Sequence, residues 1–366
     1  MSDGPHILIA TGGSGGHLYP AFAVADEIER RWPGCEVRLT TGDRPIEADI
    51  CRSAGRIATR LPLVPSSKAR RHPLRFLKGL WAARREANHL IADIHADCVV
   101  GAGGLAMSPV IQAALGRRIP VVLLEQNAIA GRATRWFARR ASAICSSFER
   151  LEPRLKTARI EQTGNPVRAS IAKLFAESRP EGGHLLVLGG SQGARALNEA
   201  LAWIAQHQPA ILVEHEIVHQ TGGTESAREL EAVYHSVGLR ARVAPFIDDV
   251  APLYSRASLL IARAGATTLA EAACAGVPAI LVPYPFARDR HQHANAAVFE
   301  QAGAARVIEQ TGNTEGDGRH LARVVEELLQ SNGPREQMSR GMRSLARPDA
   351  ARHVVDVIER AIATPI

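Results

Sequence analysis

Aromatic residues make up only 4% of this 366-residue chain, and its cysteines number five, Cys35, Cys51, Cys98, Cys145 and Cys274, with no Cys-x-x-Cys pair among them. Scattered cysteines exclude a disulfide framework and a zinc knuckle, and make a reducing cytoplasm the default compartment. The shortage of aromatics argues against a surface that stacks nucleic-acid bases, so no nucleic-acid partner is expected. No apolar run approaches the roughly 18 residues that a membrane-spanning helix needs. The opening M-S-D-G-P-H-I-L-I-A enters a strand directly, without the basic, apolar and small-residue pattern of a signal peptide. Asp248 and Asp249 are adjacent and do not make a D-x-D metal motif. Neither G-x-G-x-x-G nor a Gly-Lys-Ser/Thr loop occurs after the first strand, which excludes the usual dinucleotide and P-loop readings there. A soluble protein with no bound metal or cofactor is the expectation.

The chain has 31 glycines, 21 prolines, 46% hydrophobic residues and a net charge of +7. Many short loops between small-residue helices and apolar strands suit an α/β protein, and the length suits two domains, each with its own core. The positive charge points to an anionic partner.

The stretch from Ile261 to Asn295 constrains function most. A short apolar run, Leu259 to Ile261, breaks at Arg263-Ala264-Gly265, and an alanine-rich helix then carries Thr267, Thr268 and Glu271 up to Gly276, with Pro278 barring continuation. Ala279 to Val282 is a second buried strand. Two strands joined by one helix form a right-handed parallel unit, which puts the Gly265 loop at the carboxyl edge of the sheet, where ligands bind. Amides at the helix start, with Thr267 and Thr268, suit a phosphate, and Glu271 one turn on suits a ribose diol. Gln292 and Asn295 share a helical face from which amides read sugar hydroxyls. An ordinary βαβ unit with capping threonines and a surface glutamate is the alternative at this point.

The same plan recurs from the start of the chain. The strand His6 to Ala10 runs into T-G-G-S-G-G-H-L-Y-P and a helix from Ala21 to Arg31. His17 ends that glycine loop. The positive end of a helix disfavours an imidazolium, so a histidine there stays neutral and able to take a proton, while the glycines allow close approach of a substrate. Glu36 to Thr41 and Leu61 to Val64 read as further strands. From Pro73 onward Leu74, Leu77, Leu80 and Trp81 recur at helical spacing among Lys68, Arg70, Arg71, Arg75, Lys78, Arg84 and Arg85. Such a basic amphipathic helix can lie on an anionic membrane; the alternative is a helix packed on its own domain with solvated charges. Cys98 to Val100 leads into G-A-G-G, and Val121 to Leu124 ends in Glu125-Gln126-Asn127. A turn at Gly164-Asn165-Pro166 marks the linker. His184 to Leu188 then restarts the pattern before G-G-S-Q-G-A-R, where Ser191 adds a second phosphate cradle. Ala304 to Ile308 is a last strand, and Leu321 to Leu329 and Ala350 to Ile362 are surface helices. Two doubly wound Rossmann-like domains facing across a cleft are expected, spanning 1–164 and 165–346, with a helix over 347–366 packing back on the first.

Taken together, T-G-G-S-G-G-H, E-Q-N at 125 to 127, G-N-P-V-R at 164 to 168, G-G-S-Q-G-A at 189 to 194, F-I-D-D at 246 to 249 and the Ile261 to Asn295 stretch resemble the MurG family. Its members are cytoplasmic, membrane-associated N-acetylglucosaminyltransferases of peptidoglycan synthesis with the GT-B fold, and the likeness spans nearly the whole chain. The resemblance implies that the second domain binds UDP-N-acetylglucosamine: the Ile247 backbone would hold uracil, Glu271 the ribose, and Ser191 with the turn of Ala266, Thr267 and Thr268 the phosphates, with Leu269 and Ala270 as further substrate-binding residues of the same helix. Arg168 matches a donor-site arginine, and Gln292 and Asn127 match sugar contacts. Ser14, Gly15 and Gly16 would face the diphosphate and sugar, and His17 matches the proposed general base. The segment around Leu77 and Trp81 falls at the family's membrane-contact patch, implying a peripheral protein on the inner face of the plasma membrane. The acceptor would be lipid I, undecaprenyl diphosphate carrying N-acetylmuramoyl pentapeptide, with other cell-wall enzymes as further partners.

Three departures stand out. Ala264 occupies a place where serine is common, His291 one where some relatives have glutamine, and Leu105-Ala106-Met107 replaces a tyrosine-containing acceptor loop. The expected reaction is direct inverting transfer to the muramoyl 4-hydroxyl without metal. A UDP-sugar 2-epimerase and a diacylglycerol glycosyltransferase share the plan and are the alternatives.

Overall fold

The computed structural model describes residues 4–13, 15–63, 72–151, 155, 159–178, 182–190 and 193–364. The chain divides into two compact units, residues 1–168 with 349–366, and residues 169–348.

The first unit is built on strands β1 (His6–Ala10), β2 (Glu36–Thr41), β3 (Ala58–Arg60), β4 (Cys98–Gly101), β5 (Val121–Glu125), β6 (Ala143–Ser146) and β7 (Ile160–Gln162). All pair in parallel, in the order β3-β2-β1-β4-β5-β6-β7. Its helices are α1 (Gly15–Arg31), α2 (Pro45–Ser53), α3 (Pro73–Asp93), α4 (Met107–Gly116) and α5 (Arg132–Phe137). A parallel sheet must be covered on both faces, so its strands read as unbroken apolar runs such as Ile7-Leu8-Ile9. One face packs against α1, α2 and the C-terminal helix Ala350–Ala363, through Leu18, Val24, Ile28, Val354 and Ile358. The opposite face packs against α3, α4 and α5. The C-terminal helix is tied further by Arg31 to Asp356 at 2.6 Å and by Arg360 to Glu161.

Two local expectations need correction. The third strand lies at Ala58–Arg60, ahead of the expected Leu61 to Val64. Leu61 donates one last bond to the Thr41 carbonyl, but Leu63 N–H turns back onto the Leu61 carbonyl at 2.7 Å and Pro62 has no N–H to offer, so the ladder stops; Val64 is outside the described residues. Helix α1 begins at Gly15, six residues before the expected Ala21, and takes in Pro20. Proline so near a helix start deletes a single intrahelical bond, and the turn survives. His17 thereby sits within the first turn of the helix.

The first unit runs on to Arg168. Thr163 and Gly164 donate to the Ser146 carbonyl, at 3.0 and 3.1 Å, and Asn165 and Val167 are buried.

The second unit repeats the topology with β8 (His184–Leu188), β9 (Ile217–Gln220), β10 (Ala241–Ala244), β11 (Ala257–Ala262), β12 (Ala279–Leu281) and β13 (Ala305–Val307), parallel in the order β10-β9-β8-β11-β12-β13. Its helices are α6 (Ala169–Ala172), α7 (Arg195–His207), α8 (Thr224–Ser236), α9 (Ala251–Arg256), α10 (Ala266–Ala275), α11 (His291–Gln301), α12 (Thr314–Gln330) and α13 (Asn332–Leu345). Helix α12 starts earlier than the expected Leu321 because the Asn313 side chain caps it, accepting from Gly316 N–H at 3.1 Å. In both sheets the strand order reverses direction beside the first strand, between β1 and β4 and between β8 and β11, and loops at the carboxyl ends there are where such folds bind ligands.

Candidate functional site

In the first unit the switch point brings three loops onto His17. The loop after β1 carries it, and its ring is backed by the loop after β4. Gly103 has φ +110°, a conformation that side chains rarely adopt, and a β-carbon there would stand 2.3 Å from His17 Nδ1. Gly104, at φ +79°, would meet the Gly12 carbonyl oxygen at 2.3 Å. Gly103 is therefore glycine because its backbone is one wall of the histidine site, and Gly104 because it passes over the first glycine loop. The end of β5 supplies the third contact: Gln126 Oε1 lies 3.2 Å from His17 Nδ1. Glu47 of α2 steadies the first loop, accepting from Gly13 N–H at 2.7 Å. Gly15 and Gly16 form the start of α1; Ser14 lies outside the described residues.

The motif Glu125-Gln126-Asn127 separates into distinct tasks. Glu125 is buried and accepts from the N–H groups of Asn127 at 3.1 Å and Gly131 at 2.8 Å, locking the turn after β5. Asn127 is half-buried on that turn. Arg168 belongs to the first unit, its guanidinium 4.6 Å above the Tyr19 ring.

In the second unit the Gly265 turn has the form read from sequence. Gly265 caps α10 in an extended conformation, and Gly276 ends it at φ +65° in the left-handed region. Leu269 N–H bonds back to the Gly265 carbonyl at 3.0 Å, so the amides that lead out of the helix are those of Ala266, Thr267 and Thr268. Leu269 and Ala270 follow that first turn, and the Leu269 side chain is wholly in the core. Glu271 is buried, and its Oε2 accepts from the Tyr254 hydroxyl at 3.3 Å.

Asn295 needs correction. Its side chain is fully buried and donates to the Ala264 carbonyl at 3.1 Å, so it braces the Gly265 turn from behind and does not present its amide at the surface. A three-residue spacing put it on a face with Gln292, but α11 packs that turn inward. Gln292 stays half-exposed and accepts from Tyr284 N–H at 2.9 Å, leaving its NH2 end as the donor.

Two residues that sequence reading passed over organise this second site. Gln220, at the end of β9, accepts from Ile247 N–H at 3.1 Å and donates to the Gly190 carbonyl at 3.2 Å, joining the Ile247 segment to the glycine loop after β8. Ser191 in that loop is outside the described residues. Arg263 is buried, and donates to the carbonyls of Val282 at 2.9 Å and Pro283 at 3.3 Å and to Gln310 Oε1 at 2.7 Å. Burial pushes its pKa down from the ordinary arginine value. It fixes the loop from which Tyr284 holds Gln292. A glutamine at a strand's carboxyl end and an arginine before a Gly turn were the available signals. Neither is specific without the contacts.

Among the described residues no cluster of three or more His, Cys, Asp or Glu side chains could hold a metal ion, and no helix is long and apolar enough to cross a membrane.

Two successive parallel sheets of this strand order, each with a ligand-type switch point, make the GT-B fold. The profile of the glycosyltransferase family 28 N-terminal domain matches residues 7–146, and that of the family 28 C-terminal domain residues 184–354. The chain belongs to glycosyltransferase family 28, as a MurG-like member. The UDP-N-acetylglucosamine--N-acetylmuramyl-(pentapeptide) pyrophosphoryl-undecaprenol N-acetylglucosamine transferase of Anaeromyxobacter sp. (strain K) is 37% identical over 358 residues, 96% of this chain and 91% of that protein. The crystal structure of Acinetobacter baumannii MurG is similar with a TM-score of 0.70 at 30% identity, covering 97% of this chain and 99% of that one. The UDP-GlcNAc 2-epimerase of Neisseria meningitidis, at 12% identity and a TM-score of 0.66 over 97% of this chain and 100% of that one, shares the fold alone.

Proposed function

We propose that the protein transfers N-acetylglucosamine from UDP-N-acetylglucosamine to the 4-hydroxyl of the muramoyl sugar of lipid I, forming lipid II with inversion at the anomeric carbon. The observation that carries this is the near full-length 37% identity to a transferase of that name, joined to a second unit whose turn, Glu271 and Gln292 suit a nucleotide sugar. The second unit binds the donor: the Ile247 carbonyl takes the uracil imide N–H, Glu271 the ribose diol, the amides of Ala266 to Thr268 the phosphates, and the Gln292 amide a sugar hydroxyl. Helix amides fixed in advance meet the charge that builds on departing UDP. His17 is the general base, Asn127 and Arg168 assist the donor sugar and diphosphate, and the reaction needs no metal or cofactor. The test is to incubate the protein with UDP-N-acetylglucosamine and a short-chain lipid I analogue: UDP and a disaccharide lipid are expected together, and formation of UDP-N-acetylmannosamine from the donor alone would replace this reading with epimerisation. Glu271→Ala is expected to weaken UDP binding measured by calorimetry by about 1 to 3 kcal/mol, the range for losing a buried hydrogen-bonded partner. An unaltered dissociation constant would take Glu271 out of the ribose role.

The protein works as a peripheral enzyme at an anionic membrane. The first two turns of α3 hold no buried residue: Leu74, Leu77 and Trp81 are 75%, 60% and 67% exposed, with Arg75 and Lys78 exposed beside them and Phe76 and Leu80 half-buried. Only farther along does α3 dock, through Ala83, Ala87 and Ile91. A stripe meant for the protein's own core would be covered, and this one is not. On the same face of the sheet, α5 holds out Trp136, 77% exposed, among Arg132, Arg139 and Arg140. Exposed apolar side chains ringed by cations fit a lipid headgroup layer. Leu77→Glu with Trp81→Glu should abolish binding to anionic vesicles while leaving transfer to a soluble short-chain acceptor intact; undiminished vesicle binding would exclude this surface.

A further inference from the structure

We propose that Gln126 sets the tautomer of His17, holding the proton on Nδ1 so that Nε2 carries the lone pair used in transfer. The inference rests on the reading of His17 as the general base and adds the residue that makes the ring competent for it.

The argument is a chain of directed hydrogen bonds. Ala102, just past β4, donates its own N–H to the Ala10 carbonyl at 2.8 Å, which fixes that peptide against β1. Its carbonyl oxygen can only accept. Gln126 lies 2.8 Å from it through Nε2, so the amide is oriented with its NH2 towards Ala102 and its Oε1 towards His17. An amide oxygen has no proton to give. The Nδ1 atom 3.2 Å away must therefore be the donor, and in a neutral imidazole that leaves Nε2 unprotonated. Gln126 is 3% exposed, so water does not compete for this arrangement, and Gly103 presses against the same side of the ring and restricts its rotation. Free imidazole side chains in water favour the other tautomer, with the proton on Nε2. The protein reverses that preference.

The partner's chemistry also matters. A carboxylate on Nδ1 would stabilise imidazolium and keep the proton, whereas a neutral amide orients the ring without adding charge. The neighbouring carboxylate, Glu125, is occupied by the amides of Asn127 and Gly131. During transfer the acceptor hydroxyl proton passes to Nε2, the oxygen's electron pair forms the new bond to the anomeric carbon, and the bond to the UDP oxygen breaks with its pair leaving on UDP. Gln126 Oε1 keeps its bond to Nδ1–H throughout and stabilises the ring as it becomes cationic. Gln126 is a positioning residue and touches no reacting atom.

The test is nitrogen-15 NMR of the full chain with labelled histidine, assigning His17 by its loss in His17→Ala, alongside steady-state kinetics. The wild type should show protonated Nδ1 and an unprotonated Nε2. Gln126→Leu should shift His17 towards the Nε2–H form and lower kcat at least about 10-fold, within the ~10²- to 10⁴-fold that a whole general base supplies, with KM for UDP-N-acetylglucosamine held within about twofold. Gln126→Glu, which keeps an acceptor for Nδ1–H but adds charge, should keep Nδ1 protonated, move the acid limb of the kcat–pH profile to higher pH, and at high pH lose less activity than the Leu variant. Thermal unfolding followed through Trp32, Trp81 and Trp136, all in the same unit as Gln126, reports that each variant is folded. A wild-type Nε2–H tautomer, or a Leu variant with full kcat beside an inactive His17→Ala, overturns the proposal. Full kcat in His17→Ala instead removes the base reading beneath it.

Discussion

His17→Ala is expected to lower kcat for transfer by about 10²- to 10⁴-fold and to leave the dissociation constant of UDP unchanged. The size follows from what the residue does in this reading. A hydroxyl must lose its proton as it attacks, and without a base it does so only as far as water or the leaving group can help. The separation of the two effects follows from the structure. The groups assigned to uracil, ribose and the helix-bound phosphates, namely the Ile247 carbonyl, Glu271 and the amides of Ala266 to Thr268, belong to the second unit; of the first unit only Arg168 is assigned to the diphosphate, and His17 is assigned to the acceptor proton alone. Single-turnover rates beside UDP calorimetry make the check. Unchanged turnover with UDP still bound would end the role of His17 as base, and a matching loss of UDP affinity would make it a binding residue.

The second large effect concerns stability. His219 on β9 is fully buried, 3.0 Å from the Tyr234 hydroxyl through Nδ1 and 3.1 Å from Asn198 Oδ1 through Nε2, while Asn198 donates to the Thr221 carbonyl at 3.1 Å. Asn198 is oriented by Thr221, so Nε2 donates and Nδ1 accepts from Tyr234. The network has no place for a second ring proton. Burial accordingly pushes the His219 pKa down to about 3 from 6.5. In the unfolded chain the ring titrates near its ordinary value, so the unfolded state binds the proton first as pH falls. The stabilisation is complete above about pH 6.5, is lost between there and about pH 3, and changes no further below that. From pH 7 to pH 5 the loss from this group is about 2 kcal/mol, since each unit of pKa difference is worth about 1.4 kcal/mol. His184 and His215, also lowered by burial, act in the same direction. The change can be followed at Trp203 in urea titrations, because the other tryptophans, Trp32, Trp81 and Trp136, lie in the first unit and can be replaced by phenylalanine. His219→Gln should be less stable at pH 7 and show a pH 7 to pH 5 drop smaller by about 2 kcal/mol. An equal drop in both proteins would remove His219 as the source.

Both effects turn on where a side chain's hydrogen-bonding atoms point. Much of the fold needed no such information. Unbroken apolar runs such as Leu185 to Leu188, each followed by glycines and then a helix, already specify parallel strands with loops at their carboxyl ends. Gly276 before Val277 and Pro278 specifies where α10 stops, since only glycine takes the left-handed cap without strain. The spacing and order of the glycine loops, with His17, Glu271 and Gln292 beside them, likewise point to a nucleotide sugar, because residue type fixes what a group can donate or accept.

The tertiary structure decided which of those groups face outward and which hold the others. Asn295 and Gln292 are indistinguishable by spacing, yet one is sealed under the Gly265 turn and the other is held half-exposed by Tyr284. Glu125, Gln126 and Asn127 are consecutive, yet one closes a turn, one reaches back to His17 and one stands on the loop surface. The stripe of Leu74, Leu77 and Trp81 has the period of a core-facing helix and lies uncovered. Periodicity records that residues share a face. What that face meets depends on strands and loops distant in the chain, such as β4 and β5 for His17, and only the folding of each sheet brings those partners into range.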